Sequence, residues 1–135
     1  MPELVFIVGF HNSGKTTLAE KLAVELTKMG FKVGYIKHDP KGHAVTDKEG
    51  SDSFRMFQLL DKVAVVSPQR TTFYERREDD PISLVQEYFK DCQIVLLEGW
   101  KFIPGYKRIS TSPQLDGFPA YSKTLEEVIA FVLAK

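Results

Sequence analysis

Gly9-Phe10-His11-Asn12-Ser13-Gly14-Lys15-Thr16 fits the pattern G-x-x-x-x-G-K-[ST] at every fixed position. It stands between two segments of different periodicity. Upstream, Leu4-Val5-Phe6-Ile7-Val8 is apolar without alternation, which suits a strand buried on both faces. Downstream, Leu18, Leu22 and Leu26, with Ala19 and Ala23, recur at three and four residues until Gly30 stops the run. A strand, a glycine-bounded turn and a helix of about four turns are therefore expected in that order. Glycines at both ends of the turn let the backbone wrap closely around an anion. The amides of residues 12 to 16 then form a nest at a helix N-terminus, where the macrodipole also favours negative charge. In this arrangement Lys15 reaches the β- and γ-phosphates and the Thr16 hydroxyl ligates Mg²⁺. The octapeptide implies a nucleoside triphosphate site.

The rest of the chain alternates in the same manner. Lys32–Ile36, Val63–Val66 and Ile94–Leu97 read as strands. Asp52–Leu60, Ile82–Phe89 and Thr124–Leu133 read as helices, and short edge strands are expected near Arg108–Ser110 and Pro119–Tyr121. Lys37–Ser51 reads as a loop. Residues 68 to 81, with Pro68, Pro81 and a charge cluster from Glu75 to Asp80, have the weakest structural signal. Phe54, Phe57, Phe89, Val128, Phe131 and Val132 fall on apolar helix faces and are expected in the core. Strand–helix alternation with fully apolar strands indicates an α/β fold, a mostly parallel sheet flanked by helices. With 135 residues and no linker, a single nucleotide-binding domain over residues 1–135 is expected.

Composition narrows the function. Eighteen basic side chains balance eighteen acidic ones, so no global field draws the chain to nucleic acid or an anionic membrane. Phosphate must be held by local chemistry. The single cysteine, Cys92, closes no intrachain disulfide and cannot build a cysteine zinc site. The Leu4–Phe10 run is too short to span a bilayer and lacks a basic lead-in, so a cytoplasmic address is expected.

A phosphate-binding turn of this kind needs an acidic partner at the end of a neighbouring strand. Glu98, directly after Ile94–Leu97 and before Gly99, is the first choice for the metal site or for polarising water. Asp47-Lys48-Glu49-Gly50 reads D-x-x-G, a γ-phosphate switch pattern, but follows no apolar strand and ranks second. Lys37-His38-Asp39 ends the second strand and should emerge at the carboxyl edge of the sheet, where α/β folds bind ligands. His38 and His43 are candidates for metal or phosphate contact, or simply solvated histidines. Asp52-Ser53-Phe54-Arg55 reads as a helix start capped by Asp52 or Ser53, with Arg55 placed for an anionic ligand or for solvent. Lys101, Lys107 and Arg108 give the Trp100–Arg108 tract a local positive excess that either receives an anion or faces water.

The octapeptide, Ile36-Lys37-His38, the run Asp47-Lys48-Glu49-Gly50-Ser51-Asp52-Ser53-Phe54-Arg55, and Leu97-Glu98-Gly99-Trp100-Lys101 occur here in one order. In that order they resemble molybdopterin-guanine dinucleotide biosynthesis protein B (MobB), over about residues 3 to 110. The D-x-x-G-x-D-S-x-R and E-G-aromatic-K runs carry the resemblance more specifically than the octapeptide does. It implies a small P-loop GTP-binding adapter, generally dimeric, that hydrolyses GTP weakly and assists a molybdopterin nucleotide transferase. By position it implies nucleotide binding by Gly9, His11, Asn12, Ser13, Gly14, Lys15, Thr16 and Thr17, and Mg²⁺ at Thr16 and Glu98. Lys15 and Glu98 would be the catalytic pair, with Lys37, His38, Asp39, Asp47, Asp52, Ser53, Arg55 and Lys101 at a substrate or switch region. The chain departs from the family at Leu59-Leu60-Asp61-Lys62, at Trp100, and in lacking an N-K-x-D guanine signature.

Two other classes are compatible with the octapeptide alone. A small metabolite kinase would need an arginine-bearing lid, for which Arg70, Arg76 and Arg77 are the candidates. A nickel-type metallochaperone would need a compact His/Cys cluster, against which one cysteine and three scattered histidines argue.

Overall fold

The early apolar run forms a strand with parallel neighbours on both sides. In the computed structural model, residues 1–111 and 124–135 are described. Their element order is β1 (Glu3–Val8), α1 (Lys15–Lys28), β2 (Val33–Lys37), α2 (Asp52–Leu59), β3 (Lys62–Ser67), β4 (Arg70–Glu75), α3 (Pro81–Tyr88), β5 (Ile94–Glu98), β6 (Lys107–Ser110) and α4 (Leu125–Leu133). The edge strand expected near Pro119–Tyr121 lies outside the described residues. The chain divides into two compact units, residues 1–38 with 81–135, and residues 39–80.

The first unit holds a four-stranded sheet in the order β2-β5-β1-β6, parallel throughout. The missing polar alternation in β1 and β5 now has its cause, because both faces are covered. Val5, Ile7, Ile94 and Leu96 point to one side and pack with Leu18, Leu22 and Leu26 of α1 and Val128 and Val132 of α4. Leu4, Phe6, Val8, Val95 and Leu97 point to the other, with Ile36 and Val85 of α3, and Phe89 joins them partly buried. Each fully buried Leu or Ile contributes about 1.5–3 kcal/mol, so the two layers hold this sheet firmly. Helix α1 ends as its glycine predicts. Gly30 has φ 94°, its amide bonds Thr27 O, and the Phe31 amide bonds Leu26 O, a Schellman closure.

The register aligns the strand ends. Ile7 of β1 and Lys37 of β2 both pair with Glu98, and Val8 pairs with Ser110. The carboxyl ends of all four strands thus share one edge, the edge at which such sheets bind ligands.

The second unit departs from expectation. Val63–Val66 is a strand, but it belongs to an antiparallel hairpin, and its partner Arg70–Glu75 lies in the stretch with the weakest sequence signal. Helix α2 carries no buried residue, so Phe54 and Phe57 are half-buried rather than core. Phe57 instead lies against Tyr74, with the Arg76 guanidinium 4.3 Å above its ring. The cap of α2 is Ser51, whose hydroxyl accepts from the Phe54 amide, rather than Asp52 or Ser53. Phe131 of α4 is likewise only half-buried.

Candidate functional site

The turn between β1 and α1 has the backbone of an anion nest. Asn12 sits at φ 58° and Gly14 at φ 91°, left-handed values that asparagine and glycine accept most readily. Gly14 is the N-cap of α1 and receives no side-chain cap, which leaves the first-turn amides to an external acceptor. Lys15 folds back over the turn, donating from Nζ to Gly9 O at 2.9 Å and Phe10 O at 3.3 Å. Desolvation lowers the Lys15 pKa; Glu98 opposes that shift, and Lys101 and Lys37 reinforce it. Three lysines therefore share a field around one carboxylate, a local positive excess in a chain of zero formal charge.

That carboxylate is the centre of the arrangement. Glu98 is only 3% exposed, and burying a charged group is costly unless its oxygens are satisfied. Thr16 Oγ1 donates to Oε1 at 2.6 Å and the Tyr35 hydroxyl donates to Oε2 at 2.7 Å. Lys37, opposite Glu98 in register, keeps its Nζ 3.9 Å from Oε2 with the side chain largely in solvent. Burial pushes the Tyr35 hydroxyl well above its usual pKa, and the bond to Glu98 adds to the shift, so Tyr35 remains a donor. Threonine hydroxyl and carboxylate oxygens beside a phosphate-binding turn are a donor set suited to a hard divalent cation, which typically takes one or two carboxylates plus phosphate oxygens.

Around this centre the carboxyl edge is closed by further contacts. The His38 ring stacks on Trp100 at 4.3 Å and 18°, and its amide donates to Glu98 O. Trp100 itself has φ 54°, directly after Gly99 at 121°. Lys101 Nζ lies 5.0 Å above the Phe10 ring, which brings it to the rim of the turn. From the other side, Thr111 just beyond β6 reaches back, its Oγ1 2.6 Å from Ser13 Oγ and its amide bonded to Val8 O. Tyr35 and Thr111 are the two neighbours that sequence reasoning missed. A strand tyrosine and a strand-end threonine carry no motif, and only the register brings them here.

The remaining candidates belong to the second unit and make contacts there. The Asp39 carboxylate accepts from the His43 and Ala44 amides. Asp47 Oδ1 accepts from Ser53 Oγ at 2.9 Å and, more weakly, from Ser51 Oγ at 3.4 Å, so this D-x-x-G aspartate ties down the start of α2. Arg55 pairs with Asp52 and donates to Gly50 O. Of the arginines considered for a kinase lid, Arg76 donates to Phe57 O and Arg77 pairs with Glu75, while Arg70 opens β4. Among the described residues no group of three or more His, Cys, Asp and Glu side chains is placed to hold a metal ion, and no helix is long and apolar enough to cross a membrane.

A parallel α/β sheet with an anion nest after its first strand and a buried strand-end glutamate facing the nest defines an α/β protein of the P-loop type. Comparison with known proteins narrows this. The family model described as "Molybdopterin guanine dinucleotide synthesis protein B" matches residues 4–134, and the chain belongs to that family, MobB. It is 33% identical to the molybdopterin-guanine dinucleotide biosynthesis adapter protein of Haemophilus influenzae, over 97% of this chain and 72% of that one. It is also 33% identical to the probable adapter protein of that name from Bacillus subtilis, over 84% of this chain and 67% of that one. The crystal structure of Bacillus subtilis MobB superposes with a TM-score of 0.68 at 32% identity, covering 80% of this chain and 66% of that one. A second MobB crystal structure matches in fold, with a TM-score of 0.70 over 96% of both chains at 22% identity.

Proposed function

We propose that the protein is a GTP-binding adapter in molybdopterin guanine dinucleotide synthesis. It would work beside the transferase that joins the guanine nucleotide to molybdopterin, in the cytoplasm. The observation that carries this reading is the Thr16–Glu98 pair at the mouth of the Gly9–Thr17 turn. The adapter names of the relatives support the pathway, and the guanine preference is inferred from the dinucleotide those names print. The nest amides would bind the phosphates, Lys15 would leave the Gly9 and Phe10 carbonyls for the β- and γ-phosphates, and Thr16 with Glu98 would hold Mg²⁺. When bound, that cation neutralises charge on the phosphate oxygens.

Hydrolysis is slow in this reading. Lys15 and Glu98 are the catalytic residues in this reading, and the sequence offers no obvious arginine finger in cis. Lys37 and Lys101 supply further positive charge at the same edge, where the adapter meets its substrate or partner. A homodimer is part of the proposal. Leu59, Val66 and Phe73 of the second unit are exposed apolar side chains that a second copy would cover.

Equilibrium binding of GTP with Mg²⁺, for wild type and Lys15→Ala, tests the central claim. Loss of a charge-assisted contact predicts affinity lower by about 10- to 100-fold. Equal binding by the two proteins overturns the phosphate assignment, and tighter binding of ATP than GTP overturns the guanine one. Light scattering of the purified chain reads the dimer independently.

A further inference from the structure

Glu98 offers two carboxylate oxygens, and two different hydroxyls take them. Thr16 on α1 serves Oε1, and Tyr35 on β2 serves Oε2. Tyr35 pairs in register with Leu96, and Lys37 pairs with Glu98. Side chains two apart on a strand share a face, so Tyr35, Lys37, Leu96 and Glu98 all project toward α1, and the Tyr35–Glu98 diagonal is within reach of an aromatic side chain. The charged neighbour is the more distant one. Lys37 Nζ stands 3.9 Å from Oε2, outside hydrogen-bond range, while the neutral tyrosine hydroxyl stands at 2.7 Å.

We propose that Tyr35 is the positioning residue for Glu98. Its hydroxyl occupies Oε2 and thereby fixes the carboxylate with Oε1 turned toward Thr16, so that both oxygen ligands for the divalent cation are set before nucleotide arrives. It also satisfies Oε2 without Lys37, whose side chain stays largely in solvent. Without the hydroxyl, Oε2 of a nearly buried carboxylate has Lys37 as its nearest remaining cation. Collapse of Lys37 onto it would turn the carboxylate from Thr16 and disorder the cation's oxygen ligands. This inference rests on reading the turn as a magnesium–nucleotide site, and it concerns how that site is built.

The test uses the full chain and N-methylanthraniloyl-GTP, titrated with Mg²⁺ and separately in EDTA. The variants are Tyr35→Phe, Glu98→Gln and the double substitution. Outer partners of metal ligands typically account for 10- to 100-fold in metal affinity. Tyr35→Phe is therefore expected to raise the half-saturating Mg²⁺ concentration by about tenfold or more while nucleotide affinity in EDTA stays at the wild-type value. Because Tyr35 acts through Glu98, Tyr35→Phe makes no further difference in the Glu98→Gln background. An unchanged Mg²⁺ midpoint in Tyr35→Phe overturns the proposal, as does an equal loss in EDTA or an additive loss in the double variant. Failure of the underlying site reading is seen in wild type alone, as nucleotide binding with no response to Mg²⁺. That result removes the role of Tyr35 with it.

Discussion

The hydroxyl of Thr16 and the carboxylate of Glu98 meet at 2.6 Å, 82 positions apart in sequence. One stands in the first turn of α1, the other at the last position of β5, and the parallel register of β1 and β5 brings them to the same edge. Removing the hydroxyl without changing shape isolates its part. Thr16→Val leaves Oε1 of a nearly buried carboxylate without its donor, at a cost of about 1–3 kcal/mol in folding stability. Thr16→Ser keeps the donor and stays close to wild type. Urea unfolding of the nucleotide-free protein distinguishes the two, and equal midpoints for Val and Ser would mean that the bond contributes nothing to the fold.

Gly99 is the tightest backbone position at the site. It has φ 121°, and a Cβ built there lies 2.6 Å from His38 Cβ. Gly99→Ala is expected to lower stability by about 1–3 kcal/mol from backbone strain alone, and more as His38 is forced away. The His38–Trp100 stack gives a second readout, because Trp100 is the sole tryptophan in the chain. A shift of its emission in the folded variant accompanies the loss. A variant with wild-type stability and an unmoved emission maximum sinks this account of the glycine.

What was legible in the sequence had a local cause. β1, α1 and β5 each announce themselves through an unbroken apolar run or a three-and-four periodicity, and the Gly-x-x-x-x-Gly-Lys-Thr turn sits at their junction. Glu98 stands out in the sequence because it ends such a run. β4 was masked by its surroundings. Pro68 and the charges from Glu75 to Asp80 dominate the stretch, although Thr71, Thr72, Phe73 and Tyr74 are residue types that favour strands. The fate of Val63–Val66 was hidden for the same reason, since an antiparallel partner that is not recognised leaves only the parallel sheet to join. Ser51 won the cap of α2 over Asp52 and Ser53 by one or two positions, within the ordinary uncertainty of a helix boundary. Tyr35 and Thr111 depend on register between strands distant in sequence, which no window along the chain contains.

The exposed pair Lys32–Asp91 sets a pH signature outside the site. Lys32 Nζ lies 2.6 Å from Asp91 Oδ2, and both side chains are mostly in solvent. The hydrogen bond first, and the charge second, hold the Asp91 carboxyl below 3.8 and lift the Lys32 ammonium above 10.5. A depressed acid stabilises above its unfolded pKa and is lost as pH falls through the folded one. A raised base stabilises below its unfolded pKa and is lost as pH rises through the folded one. The pair therefore acts in full between pH 3.8 and 10.5, and salt screens it. Carboxyl ¹³C titration should find Asp91 below 3.8, moving upward in Lys32→Ala and in 1 M salt. A midpoint that ignores both changes contradicts the assignment.

Thr111 latches the phosphate-binding turn from the end of β6. Its Oγ1 lies 2.6 Å from Ser13 Oγ and 3.3 Å from Val8 O, while its amide holds the same Val8 carbonyl at 2.9 Å. The amide bond survives any side-chain change, so Thr111→Val removes only the link to Ser13 and the weaker contact to Val8. Ser13 belongs to the nest, between Asn12 and Gly14 at their left-handed backbone angles, and an unlatched turn must be ordered by the nucleotide when it binds. A neutral hydrogen bond is worth about 0.5–1.5 kcal/mol, which corresponds to nucleotide affinity lower by about 2- to 12-fold. Thr111→Ser should restore most of it. Because the latch acts on the nest and not on Glu98, the deficit is expected to be the same in EDTA as in Mg²⁺, the opposite of the pattern expected for Tyr35→Phe. A Thr111→Val protein that binds nucleotide as wild type does under both conditions shows that the turn holds its shape without β6.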